Sequence, residues 1–119
     1  MALKDILGRF VAIDGVRALV VAGRDGLVIG QTDLPLPDAE ALAAYGAQAL
    51  SAAEGLGTET RRTALVGIVA EYGDALVSID PLGELAVTVG RLDTAAALVP
   101  LRQNLRQWRG DLLAALDAM

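Results

Sequence analysis

The sequence predicts an α/β (α+β) fold in the order α-β-β-α-β-β-β-α, with a five-stranded antiparallel sheet between helices. Three observations lead there. Apolar residues recur at helical spacing in three segments, and short, branched, apolar runs fall between them. The links between successive strand runs are only a few residues long, which suits antiparallel neighbours. At 119 residues the chain has room for one hydrophobic core and is read as a single domain over 1–119.

The first helix rests on Leu3, Ile6, Leu7, Phe10 and Ile13, with Lys4, Asp5 and Arg9 between them, and Gly15 stops it. Val16 to Ala22 and Leu27 to Gln31 read as two strands joined at Gly23-Arg24-Asp25-Gly26, a turn whose glycines accept positive φ. Leu34-Pro35-Leu36-Pro37 resists helix, so Asp38 is the expected N-cap of a second, alanine-rich helix. That helix runs to about Leu56 and ends at Gly55 and Gly57. On its wheel Leu42, Gly46, Ala49, Leu50, Ala53 and Leu56 share one face, and Ala44, Ala47, Gln48 and Ser51 lie opposite.

Arg61 to Glu71, Ala75 to Asp80 and Glu84 to Gly90 are the remaining strands. Tyr72-Gly73-Asp74 and Asp80-Pro81-Leu82-Gly83 are the turns that link them. From Thr94 onward, Leu98, Leu101, Leu105, Trp108, Leu112 and Leu116 form the apolar stripe of a last helix, with Arg102, Arg106 and Arg109 off the stripe. Pro100 marks either the first turn of that helix or a kink in it.

Composition excludes several classes of function. A net charge of −5 with Lys4 as the one lysine leaves no basic stripe for a phosphate backbone, so nucleic acid is not an expected partner. The longest apolar runs, Ala18 to Ala22 and Ala64 to Ala70, fall far short of the roughly 18 residues that span a bilayer. Lys4, Asp5 and Arg9 interrupt any secretion signal, and a cytoplasmic location without membrane insertion is expected. With neither cysteine nor histidine, the chain lacks thiolate chemistry and the commonest general base and metal ligand. No P-loop surrounds Lys4, and Gly55-Leu56-Gly57 follows a helix where a dinucleotide fingerprint would precede one. No enzyme activity, cofactor or metal is therefore expected. Asp80 and Glu84 read as solvated turn residues, Arg24 as a hairpin-tip arginine exposed to solvent in preference to a catalytic finger, and Trp108 as packing. The excess of arginine over lysine and the alanine richness point to a GC-rich bacterial genome.

This order of elements resembles the roadblock/dynein-light-chain family, a profilin-like architecture. Gly15-Val16 leading into Ala18-Leu19-Val20-Val21, Arg24-Asp25-Gly26-Leu27-Val28-Ile29, the alanine-rich helix and Pro81-Leu82-Gly83 carry the likeness over essentially the whole chain. These motifs are turns and core strands and hold no chemistry. The family includes bacterial MglB-type regulators of Ras-like GTPases and eukaryotic dynein and endosomal scaffold subunits. The resemblance implies a homodimer joined through the third strand, with the second helices side by side. It places Gly46, Ala49, Ala53, Leu65, Val66, Ile68 and Val69 at the dimer interface. The residues suit this, since Leu65 to Val69 would leave a hydrophobic sheet edge open in a monomer. The implied partner is a Ras-like small GTPase, whose nucleotide cycle the dimer would modulate through Ala44, Ala47, Gln48 and Ser51. The alternative is a structural adaptor in a larger assembly that leaves GTP hydrolysis unchanged.

Overall fold

The computed structural model describes residues 2–32 and 34–119. The elements are α1 (Leu3–Val11), β1 (Val16–Gly23), β2 (Val28–Gln31), α2 (Leu36–Glu59), β3 (Ile68–Glu71), β4 (Leu76–Leu82), β5 (Ala86–Leu92), α3 (Leu98–Gln107) and α4 (Arg109–Asp117). All five strands form one antiparallel sheet in the order β2-β1-β5-β4-β3, the expected fold class. No helix among the described residues is long and apolar enough to cross a membrane.

Alternation along the strands sends side chains to two cores. Leu19 and Val21 of β1 join Ile6, Leu7 and Phe10 of α1, with Leu101 and Leu112 from the C-terminal helices, on one face. Val20, Ala22, Val87 and Val89 meet Ala39, Ala43, Ala47 and Leu50 of α2 on the other. The period of two therefore explains why β1 and β5 read as continuous apolar runs: they are covered on both faces. Gly26 closes the first hairpin with φ +86°, as the Asp-Gly turn requires.

Four boundaries differ from the sequence reading, each for a local reason. The third strand is only Ile68–Glu71, because its next partner positions on β4 would be Asp80 and Pro81, and proline has no N–H for the ladder. Residues 61–67 run free of the sheet after a turn in which Arg61 adopts φ +55°. The second helix begins at Leu36, with Asp38 inside the first turn and making no side-chain cap, and it passes through Gly55 and Gly57 to Glu59. Its last carbonyls accept from the backbone N–H groups that follow, Thr60 to Leu56, Arg62 to Gly57 and Arg61 to Thr58, and the hydroxyls of Thr58 and Thr60 donate further bonds to the Glu54 and Leu56 carbonyls at 3.1 and 2.8 Å. At the β4–β5 connection, Asp80 and Pro81 belong to the strand, and the turn falls at Gly83, with φ +63°.

The C-terminal helix is two helices. Thr94 accepts from the Ala96 N–H to start a 3-10 turn, Ala95–Ala97, and α3 follows with Pro100 in its first turn. The break falls at Trp108, whose ring meets Phe10 edge-on at 4.9 Å, while the Arg9 guanidinium lies 5.5 Å from its centroid. The break therefore lies beyond Pro100, at the residue that packs on α1.

Candidate partner interface

One edge of the sheet is open. β3 pairs only with β4, and among the described residues no strand pairs with its outer side. Ile68, Val69 and Ala70 are half-buried there, Leu65 is half-buried just before them, and Val66 is 74% exposed. A row of unpaired backbone donors and acceptors flanked by branched apolar side chains is a template for another strand. Of the proposed contact residues, Leu65, Val66, Ile68 and Val69 thus sit at or beside that edge.

The second helix carries its faces differently from the wheel. A Cβ on Gly46 would collide with Val89 Cγ2, so Gly46 is pressed against its own sheet and offers nothing to a second copy. Ala49 and Ala53 are half-buried at the flank. Ala47 is buried beside Gly26 and is not on the outward face, and Ala44 is half-buried over the same turn. Gln48 and Ser51 are exposed as expected. The outward row is Ala41, Tyr45, Gln48, Ala52 and Leu56, of which the sequence reading placed only Gln48 there, with Tyr45 and Leu56 73% and 67% exposed. Spacing by four, three, four and four marks it. Alanine on every side of the helix erased the contrast that would have identified it.

Two titratable residues are held differently from expectation. Asp80 is buried, not solvated: Arg102 Nη2 donates to its Oδ1 at 2.9 Å and also to the Ile68 carbonyl at 3.4 Å. Burial raises the Asp80 carboxyl above its usual range, and the Arg102 hydrogen bond and charge pull the other way without cancelling it. A Cβ on Gly67 would overlap the Asp80 carboxylate, so only glycine lets the chain enter β3 past this pair. Glu84 is exposed in the β4–β5 turn.

Arg24 is not a free tip residue. Its guanidinium donates to the Ala86 and Gly83 carbonyls, both at 2.9 Å, and pairs with Glu54 of α2. That ties both hairpin ends to α2 and leaves no extended arginine at this tip to enter a neighbouring active site. Between the end of α2, residues 60–66 and the β4–β5 turn lies an open groove of about 920 Å³. Among the described residues no group of three or more carboxylates could hold a metal ion.

The Roadblock/LC7 domain family matches the chain over residues 2–89. No curated protein matches it in sequence. Among solved structures, Myxococcus xanthus MglB superposes with a TM-score of 0.84 at 15% identity, covering 98% of this chain and 96% of that one. The gliding protein MglB from Thermus thermophilus gives 0.82 at 19%, covering 98% and 90%. A Roadblock/LC7 domain from Streptomyces avermitilis gives 0.77 at 18%, covering 91% and 98%. These are likenesses of fold.

Proposed function

Because the chain belongs to the Roadblock/LC7 domain family, we propose that it acts without catalysis of its own, as a homodimer that binds a Ras-like small GTPase and modulates its nucleotide cycle. The observation that carries this reading is the open apolar edge of β3 in a chain whose fold is that of the MglB structures. Two copies joined along β3 would satisfy the backbone groups of both edges through one twofold axis and continue the sheet into the second copy. Tyr45, Gln48 and Ser51, exposed on α2, are the side chains through which a GTPase would be held in such a dimer. We place the dimer in the bacterial cytoplasm and treat residues 1–119 as one folding unit.

Arg24 supports remodelling of the GTPase over insertion of a finger, since its guanidinium is already committed within the chain. The test is phosphate release from a Ras-like GTPase of the same genome, with and without this protein. Accelerated release that Gln48→Arg abolishes is the expected result. Binding with unchanged release would leave the adaptor role, and absence of binding to any such GTPase would end the proposal. Ala47→Arg is unsuitable for this test, because a buried position would report on folding.

A further inference from the structure

Charge is polarised along the open edge of the sheet. The approach to β3 is basic: Arg61 and Arg62 are exposed just before it, and Arg62 lines the groove beside Gly83 together with Arg109. Arg24 and Arg102 stand nearby but are matched to Glu54 and Asp80. Arg61, Arg62, Arg106 and Arg109 are exposed and, among the described residues, have no carboxylate within ion-pair reach; they outnumber Glu59 and Glu84, the exposed carboxylates of that end. Residues 62–66 keep to the end of β4, since Leu65 and Val66 line one depression with Pro81 and Leu82. The far end of β3 is acidic. Glu71 closes the strand opposite Leu76, and Asp74 follows in the turn, both exposed and without a cation within ion-pair reach among the described residues. No lysine or arginine occurs between Arg62 and Arg91, and Arg91 lies two strands from Ala70, in register with it through Val77, a separation of roughly 10 Å.

Between the two charged ends the edge is Leu65 to Ala70, apolar throughout apart from Gly67. Arg62 and Glu71 are separated by up to roughly 30 Å of chain, well beyond the ~10 Å over which salt water transmits charge, so the ends do not compensate each other within one copy. A second, identical edge laid antiparallel on the first brings each arginine flank onto a carboxylate flank. The register decides only which arginine meets which carboxylate, never the sign. An identical edge laid parallel sets like charge on like at both ends, which opposes pairing. From this complementarity we infer that the β3 edge selects a second copy of this chain in twofold, antiparallel orientation. Arg61 and Arg62 of each copy pair with Glu71 and Asp74 of the other and close both ends of an apolar seam. Such selection rests on the dimer proposed above and adds what fixes the identity and orientation of the second chain. An apolar centre with a charged rim is the anatomy of a specific interface, and a foreign strand lacking this polarity would gain the backbone bonds without the rim pairs.

The test is charge reversal with complementation, read as the dimer dissociation constant by sedimentation equilibrium of the full chain. Arg62→Glu reverses one flank and Glu71→Arg/Asp74→Arg the other; Arg61 is left alone because its φ of +55° makes any substitution there a backbone perturbation. All three changed positions are exposed, so the variants should keep the thermal melt of the parent. Each variant alone should dimerise about tenfold more weakly than the parent at about 50 mM NaCl, since both ends of its own seam become repulsive. An equimolar mixture of the two should recover the parental constant, because both ends of the mixed dimer are again opposite in sign. Salt should act in opposite directions: raising NaCl to about 500 mM weakens the parent dimer and tightens each variant's. Asp74→Arg alone, which lies in the turn and outside the ladder, repeats the test should the double change disturb β3. Variants that dimerise as tightly as the parent, or a mixture no tighter than its components, overturn the inference while leaving the dimer in place. A parent that sediments as a single copy removes the dimer reading and the selection with it.

Discussion

Replacing Arg102 with methionine removes the one cation beside a buried carboxylate. The parent holds Asp80 by Arg102 Nη2 at 2.9 Å and Nε at 3.5 Å, with side-chain exposures of 23% for the arginine and 8% for the aspartate. Breaking a fully buried pair from one side costs about 3–5 kcal/mol, and the partial exposure of Arg102 admits water, so about 2–3 kcal/mol is expected here. For a chain of this length that is roughly a 10 °C fall in Tm. The sign with pH follows from the titration of Asp80. Its folded-state carboxyl lies above the ordinary 3.8, burial being the larger cause, so the stability it contributes is greatest below that value and declines as pH rises through the raised one. Both influences that oppose burial come from Arg102, so the variant's carboxyl climbs further and its decline is steeper. Urea unfolding at neutral pH should therefore show the full deficit relative to the parent, and the deficit should shrink as pH falls toward 3.8. Adding Asp80→Asn should bring the variant back to within about 1 kcal/mol of the parent. A deficit below about 0.5 kcal/mol at neutral pH, or one equal at both ends of the range, would refute the reasoning.

Gly46→Ala should destabilise by about 1 kcal/mol net, because contact with Val89 outweighs the helix propensity gained; in a Val89→Ala background the same change should stabilise by about 0.8 kcal/mol, read by urea midpoint. Arg24→Ala strands two carbonyls at the hairpin ends and should cost about 1–2 kcal/mol, with faster amide exchange at Leu85 and Ala86 than in the parent. Val66→Asp, at a position 74% exposed, should leave the folded chain within about 0.5 kcal/mol of the parent yet shift the proposed dimer toward single copies in sedimentation equilibrium. A parent that sediments as a single copy at micromolar concentration would remove the dimer itself.

The element order is legible because strands and helices alternate with punctuation that has few readings. The first hairpin turns at the predicted glycine, and α1 buries the predicted stripe of Leu3, Ile6, Leu7 and Phe10. What escapes local spacing are matters decided between elements. The length of β3 depends on what β4 places beside it, and that is a proline. The inward face of α2 cannot be phased from a helix of alanines, so Gly46 reads as a dimer contact and Ala47 as an outward residue, whereas Gly46 packs on Val89 and Ala47 beside Gly26. Asp80 reads as a turn residue because Pro81 and Gly83 follow it; its partner, Arg102, is 22 residues away and invisible to local pattern. Arg24 reads as solvated for the same reason, since Glu54 and the β4–β5 turn reach it only in three dimensions.

The chain's one tryptophan stands where α3 gives way to α4, with its ring edge-on to Phe10. Its emission is thus a built-in optical gauge of whether the carboxy-terminal segment remains seated on the amino-terminal one. A red shift that preceded the loss of far-ultraviolet dichroism would show the two chain ends parting before the β-layer melts. Coincident curves would show that closure of the termini and assembly of the layer are a single cooperative event.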